Sequence, residues 1–171
     1  MNIFRKAYCR IFQTGFRIAL PILPYKEPVI YNTVLDIPNI LAVEEIKNVL
    51  LVTDKIIRNV GLTKDLEDAL EKNDIKCHVY DDTMPNPTVD NVESARSVYL
   101  ENNCQAIIAF GGGSSMDCAK AVGARIARPK KSLKKLKGLL KVGSSLVPFH
   151  NQFPTDTKLY KLMTTKPGES L

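Results

Sequence analysis

The sequence predicts an α/β fold, a parallel sheet flanked by helices. Two observations carry that expectation. Between residues 49 and 127 the chain passes three times from a short apolar segment into a stretch of helical spacing, which is the grammar of a parallel sheet with right-handed crossovers. The third apolar segment ends in Gly111, Gly112 and Gly113 before the next helical pattern opens, and a glycine triplet there lets something come very close to the backbone.

The elements follow in order. "VLLVTD" (49–54) is short and apolar on both faces, as in a strand covered by helices on either side. "TKDLEDALEK" (63–72) places Leu66, Ala69 and Leu70 on one face. Thr63 is a good N-cap, with Asp65 and Glu67 in the first turn, so a helix starts there. "IKCHVYD" (75–81) is a second strand, and "MPNPT" (84–88) must be loop because each proline restricts the residue before it. "VDNVESARSVYLENN" (89–103) reads as a helix, and "AIIAFGGG" (106–113) as the third strand and its exit. Past Val142 no period is visible, and residues 143–171 read as a poorly specified tail with no strand before "TTKPGES".

At 171 residues, with 44% apolar and 25% charged side chains, the chain has the composition of one full-sized globular domain. No apolar run approaches the roughly 20 residues needed to cross a bilayer, and the longest candidate, Phe16 to Leu23, is cut by Arg17 and Pro21. No transmembrane segment is expected. Cys9, Cys77, Cys104 and Cys118 show no paired spacing, which predicts reduced thiols and a cytoplasmic location. Residues 1–20 have helical spacing, with Ile3, Tyr8, Ile11, Phe12, Phe16 and Leu20 largely on one side. Without an A-x-A-like cleavage site they do not read as a secretory signal. They are expected to pack on their own domain or lie on a surface, an import presequence being the alternative.

A strand that ends in glycines and feeds a helix presents free backbone N–H groups at the carboxyl edge of the sheet, where the helix N-terminus favours an anion. Gly111 to Gly113 let a pyrophosphate reach the main chain. Ser114 with Asp117 three residues on fits a capping box, and Ser114 or Ser115 could also donate to phosphate. Neither GxGxxG nor GxxxxGK[ST] is present, so the placement in the sheet, more than the triplet itself, points to a ligand. Two further loops leave the same edge. Asp54 ends the first strand, where a carboxylate suits the two hydroxyls of a ribose and repels a 2′-phosphate; the plainer reading is a cap for the helix "KIIRNVG". Asn86, between Pro85 and Pro87, either faces the nucleotide or is a turn residue.

In order and spacing, "LLVTDKIIRNVGL", "DDTMPNPTVDNV" and "AIIAFGGGSSMDCAKAVGARIA" resemble the nucleotide-binding half of the iron-containing (group III) alcohol dehydrogenases, over about Leu20 to Val142. The resemblance implies a Rossmann-like domain, followed in that family by an all-helical metal domain, and hydride transfer between a nicotinamide cofactor and an alcohol or aldehyde. Carried onto this chain, it puts Asp54 on the adenosine ribose, favouring NAD over NADP. Asn86 would line the cofactor groove, and Gly111, Gly112, Gly113, Ser114 and Asp117 would form the pyrophosphate loop and its support. It also allows a homodimer through the N-terminal domain.

The departures define the rest of the expectation. The family's metal site takes an Asp and three His, whereas this sequence holds His78 and His150 alone, and "TTKPGES" (164–170) lacks the Ala-Gly-Thr-Gly of the family's corresponding stretch. His78 falls inside a strand, in a packed or surface role. The expected organisation is an N-terminal amphipathic or extended segment over residues 1–28, an NAD-binding domain over 29–142 and a divergent tail over 143–171. The all-helical metal domain and the metal site are lacking, and the chain is expected to be truncated, fragmentary or frame-shifted and catalytically inactive. Two rivals stay open. Residues 125–141 carry eight Lys or Arg with interleaved Leu and Ile within a chain of net charge +6, which suits a nucleic-acid or anionic-membrane binder or simply a solvated basic face. No nucleic acid is expected as partner, since no recognised module and no aromatic residue accompany that run. The other rival is a scaffold that binds nothing.

Overall fold

A computed structural model describes residues 10, 11, 13–15, 31 and 33–136, and the backbone of 158–163. The chain divides into two compact units, Met1–Ile30 and Tyr31–Leu171. In the first, residues 10, 11 and 13–15 are helical; the remainder of the helix expected over residues 1–20 lies outside the described residues, as do Cys9 and His150. No helix among the described residues is long and apolar enough to cross a membrane.

The second unit opens with a 3-10 turn, Val34–Asp36, that runs into α1 (Ile37–Val43). Then follow β1 (Asn48–Val52), α2 (Lys55–Asn59), α3 (Lys64–Lys72), β2 (Lys76–Tyr80), α4 (Val89–Glu101), β3 (Ala106–Gly111), α5 (Gly113–Ala127), α6 (Leu133–Leu136) and β4 (Lys158–Met163). The strands form one sheet in the order β2-β1-β3-β4, and every pairing is parallel. Asn48 pairs with Lys76 and Val49 with Ala106, so β1, β2 and β3 end at the same edge.

The period of two along each strand decides which side chain meets which layer. Val49, Leu51, Ala106, Ile108 and Phe110 face one side and pack with Ile37 and Leu41 of α1 and Leu66 and Leu70 of α3. Leu50, Val52, Ile107 and Ala109 face the other, against Val92, Ala95 and Tyr99 of α4 and Cys118, Ala119 and Val122 of α5. Both faces of the inner strands are covered, as their unbroken apolar composition requires. Within α5 the small residues Ala119 and Gly123 lie buried, letting that helix come close to the sheet.

Three details depart from the sequence reading. Thr63 occupies the N-cap position of α3 with helical backbone and makes no cap; its hydroxyl donates instead to Glu67 Oε1 at 2.6 Å. Ser114 and Asp117 form no capping box, because α5 begins earlier: its N-cap is Gly112, without a side-chain cap, and Ser114 already lies in the first turn. Residues 158–163, inside the stretch read as patternless, form β4 and pair with β3 from Ala106↔Lys158 to Gly111↔Met163. The signal was missed because one six-residue run, flanked by residues of no clear period, shows too few turns of any pattern.

At the far end of α5, Arg125 organises the basic run. Its Nε donates to Glu93 Oε1 on α4, and its Nη1 donates to the carbonyls of Pro129 and Lys131 at 2.9 and 2.6 Å. The clamp fixes the turn after α5 and leaves Lys130, Lys131, Lys134 and Lys135 exposed. Of the apolar residues interleaved with them, Ile126 is buried in the core and Leu133 packs against it; Leu139 and Leu140 lie outside the described residues.

Where β3 gives way to α5, Gly111 has a φ of +131°. An added Cβ would stand 2.6 Å from Ile57 Cδ1 and 3.0 Å from Ser115 Oγ, so both torsion and space demand glycine. Gly112 differs: its φ is −80°, and an added Cβ would meet nothing within 4 Å. Gly111→Ala is expected to cost about 1–3 kcal/mol in urea unfolding. Gly112→Ser should stay within about 0.5 kcal/mol of the parent or gain slightly, serine being a favoured N-cap. Equal losses in the two variants would show that the strain is not held at Gly111.

The Glu93–Arg125 clamp makes a second prediction. The Arg125 hydrogen bond holds the Glu93 carboxyl below its ordinary 4.5. A depressed folded-state value means the stabilisation is complete above the unfolded value and disappears as pH falls through the folded one. Glu93→Gln should cost about 1–2 kcal/mol at pH 7, and its deficit against the parent should shrink below pH 4.5. A deficit independent of pH would assign the loss to packing rather than charge.

Candidate functional site

The carboxyl edge of the sheet gathers the residues singled out in the sequence. β1 ends at Val52. The Thr53 amide donates to the Tyr80 carbonyl at 2.9 Å, and Asp54 then caps α2, its Oδ1 accepting the Ile57 amide at 3.0 Å. The cap reading of Asp54 is thus realised, and it engages one carboxylate oxygen. An antiparallel bridge joins Asp54 to Asp82, just beyond β2. Lys55 is ion-paired with Asp82, and this hydrogen bond raises the Lys55 ammonium above its ordinary 10.5. Arg58 spans Asp81 at 3.6 Å and Glu67 at 3.5 Å.

The loop after β2 is held by Asn91. Its amide nitrogen donates to the Tyr80 hydroxyl at 3.2 Å and the Asp82 carbonyl at 3.1 Å. Its side-chain carbonyl accepts the Thr88 backbone amide while its own backbone amide donates to Thr88 Oγ1, a reciprocal capping box at the start of α4. Sequence reasoning had passed over this pair, although Thr88 followed three residues later by an amide side chain was visible. Asn86 lies in that loop, exposed, with a φ of +56°, a conformation that asparagine tolerates better than most residues.

On the other side of β1 stands the glycine bend. Gly111 is buried, whereas Gly112 and Gly113 are exposed and a Cβ on either would meet nothing within 4 Å. In the first turn of α5 the amides of Gly113, Ser114 and Ser115 have no acceptor one turn back in the helix, and the first bonded amide is Met116, to the Gly112 carbonyl at 3.2 Å. The contact of Ile57 with the space above Gly111 brings the Asp54-capped helix directly against this bend. Asp117 does not join them. It lies exposed on α5, pairing with Lys120 at 3.5 Å.

Further hydroxyls stand at this edge: Ser115, read from the sequence as a possible donor to phosphate, and Thr53 and Thr83, which carried no such signal. Thr53 and Ser115 are fully or almost fully buried, at 0% and 1% exposure, and neither side-chain oxygen has a hydrogen-bond partner. A buried unpaired hydroxyl is costly, and both flank the strand ends where the amides are free. Thr83, also buried, has its hydroxyl against the Cys118 thiol, which burial pushes above its ordinary 9.0. Burial likewise raises Cys77 and Cys104, each to about 12. These thiols are free and protonated at neutral pH and offer no nucleophile. His78 sits half-buried in the edge strand β2. Among the described residues no three His, Cys, Asp or Glu side chains form a group able to hold a metal ion.

The described residues at this edge offer polar partners for an anion. Open space over two glycines and the unpaired amides of the first turn can take an anion, and Asp54 at the same edge has a second carboxylate oxygen for hydroxyl donors.

Comparison with known proteins agrees with this geometry. The family model for iron-containing alcohol dehydrogenase matches residues 30–154. "Alcohol dehydrogenase 4" of Schizosaccharomyces pombe is 43% identical over 76 residues, 44% of this chain and 18% of the relative. "Alcohol dehydrogenase 4" of Saccharomyces cerevisiae is 37% identical over 109 residues, 64% of this chain. The chain spans 27% of that relative's length. Among solved structures, sulfoacetaldehyde reductase from Bifidobacterium kashiwanohense in complex with NAD+ superposes with a TM-score of 0.57 at 27% identity, over 68% of this chain and 31% of that one. A 1,3-propanediol oxidoreductase does so with a TM-score of 0.53 at 31% identity, over 55% and 25%. The chain belongs to the iron-containing alcohol dehydrogenase family.

Proposed function

We propose that the second unit is the nicotinamide-dinucleotide half of an alcohol or aldehyde oxidoreductase, with the diphosphate seated on the bend at Gly111–Gly113. The observation that carries this is the contrast within the triplet. Gly111 is glycine because the fold requires it, whereas nothing in the fold crowds Gly112 or Gly113. Their bare backbone is explained by a ligand that must come within hydrogen-bonding distance of the amides of Gly113 and Ser114. The sulfoacetaldehyde reductase neighbour, solved in complex with NAD+, supports the same assignment.

In this reading Asp54 accepts from the adenosine ribose through the carboxylate oxygen not used on Ile57, which favours NAD over NADP. Asn86, on its stiff loop beyond β2, borders the groove. Asp117 acts only through the helix it stands on. When bound, the nicotinamide supplies the hydride acceptor or donor; the residues of this chain bind and orient it. For the family's metal the residues do not fit, since His78 and His150 are the only histidines of the 171 residues, and no step through a metal is derived. The 171-residue chain by itself is accordingly read as a binder without turnover. Pairing through the N-terminal, nucleotide-binding domain and a cytoplasmic location belong to the same reading, and a monomer in sedimentation would remove the first.

Titration of the purified chain with NADH, followed by fluorescence or thermal shift, should show saturable binding by millimolar concentrations. Gly112→Val, which as an N-cap costs about 1 kcal/mol and leaves the domain folded, should weaken that binding at least about tenfold, 1.4 kcal/mol. Undiminished affinity in this variant would place the ligand elsewhere. Added Fe2+ or Zn2+ should produce no NADH from NAD+ and short-chain alcohols; metal-dependent turnover would overturn the binder-only reading.

A further inference from the structure

The edge formed by the ends of β1 and β2 carries three carboxylates, Asp54, Asp81 and Asp82, and two cations, Lys55 and Arg58. The cations are unevenly shared. Arg58 serves Asp81 and, on α3, Glu67. Lys55 follows Asp54 directly in the chain, yet its ammonium is paired with Asp82, whose backbone is bridged to that of Asp54. Among the described residues no cation pairs with Asp54, whose Oδ1 accepts a backbone amide.

We propose that Asp82 is a specificity-determining residue: by holding the Lys55 ammonium in an ion pair, it withholds the nearest cation from a nucleotide 2′-phosphate and so enforces the preference for NAD. The inference rests on the assignment of the ribose to Asp54 and extends it. A ribose diol needs acceptors, and an Asp54 carboxylate with no cation beside it supplies them. A 2′-phosphate adds nearly two negative charges at the same place and binds only if a positive charge turns toward it. Lys55 adjoins Asp54 in the chain and has a flexible stem, but in this structure its ammonium is paired with Asp82. The filter is therefore double, a carboxylate that repels and a lysine that is occupied. Both partners are largely exposed, at 66% and 58% of the side chain, so either can be exchanged without disturbing the core. The Asp82 carbonyl that accepts from Asn91 is main chain and survives the exchange.

The test is calorimetric titration of the full chain with NADH and with NADPH, in the parent, Asp82→Asn, Lys55→Ala and the double variant. Asp82→Asn should raise the NADPH-to-NADH affinity ratio about tenfold, the worth of one charge-assisted contact. Lys55→Ala alone should bring no rise, and the double variant should lose the gain. Asp82→Ser removes the same charge with a different side chain and must reproduce the effect. A ratio unmoved by either Asp82 variant, or a gain that survives removal of Lys55, overturns the proposal while leaving NADH binding intact. A parent chain that binds no NADH overturns the assignment of the dinucleotide itself, and this inference falls with it.

Discussion

One backbone torsion organises the edge on which everything else is built. At Gly111 the chain leaves β3 with a φ of +131°, which turns it from the plane of the sheet into the first turn of α5. The vacancy left by the missing side chain is filled by Ile57, so the bend also docks α2 and, through it, the Asp54 cap. A side chain at this position would have to push the end of Ile57 aside and hold a torsion that L side chains rarely adopt. Sheet geometry then confines a ligand. Both faces of β1 and β3 are filled by the two cores, leaving only the ends of the strands open to it.

The three glycines thus divide their work. The first satisfies the fold, and the next two satisfy nothing within it. This separation is what allows binding to be altered at Gly112 without rebuilding the bend. Thr53 and Ser115 are buried near the same edge with their hydroxyls unpaired.

Much of this was legible in the sequence. The strands and the helices after them could be placed because apolar runs such as "VLLV" and "AIIAF" are buried on both faces, which leaves no polar residue to blur their limits. Gly111 to Gly113 and Asp54 were visible because their chemistry is local. What could not be read depended on distant partners. Whether Thr63 caps its helix or bonds Glu67 is decided by the backbone it happens to adopt. The start of α5 at Gly113 rather than at Ser114 moves the expected capping box inside the helix. Asn91 gains its importance by touching Tyr80 and Asp82, eleven and nine residues away, and no spacing rule announces that. β4 is recognisable only once β3 offers it an edge to pair with.

The sheet order also sets the sequence in which the strands can come together. β1 and β2 meet across a short span of chain, Asn48 with Lys76, whereas β3 must find β1 across a longer one, Val49 with Ala106, and β4 joins last in space, pairing Lys158 to Ala106 at the rim. Closing a longer loop costs more entropy before any ladder is gained, and parallel pairing has no hairpin to shorten the search. The closure cost is thus smallest for the β1–α3–β2 unit. β2 and β4 each border a single strand, so the outer ladders are the ones expected to exchange amide hydrogens with solvent before the ladder between β1 and β3.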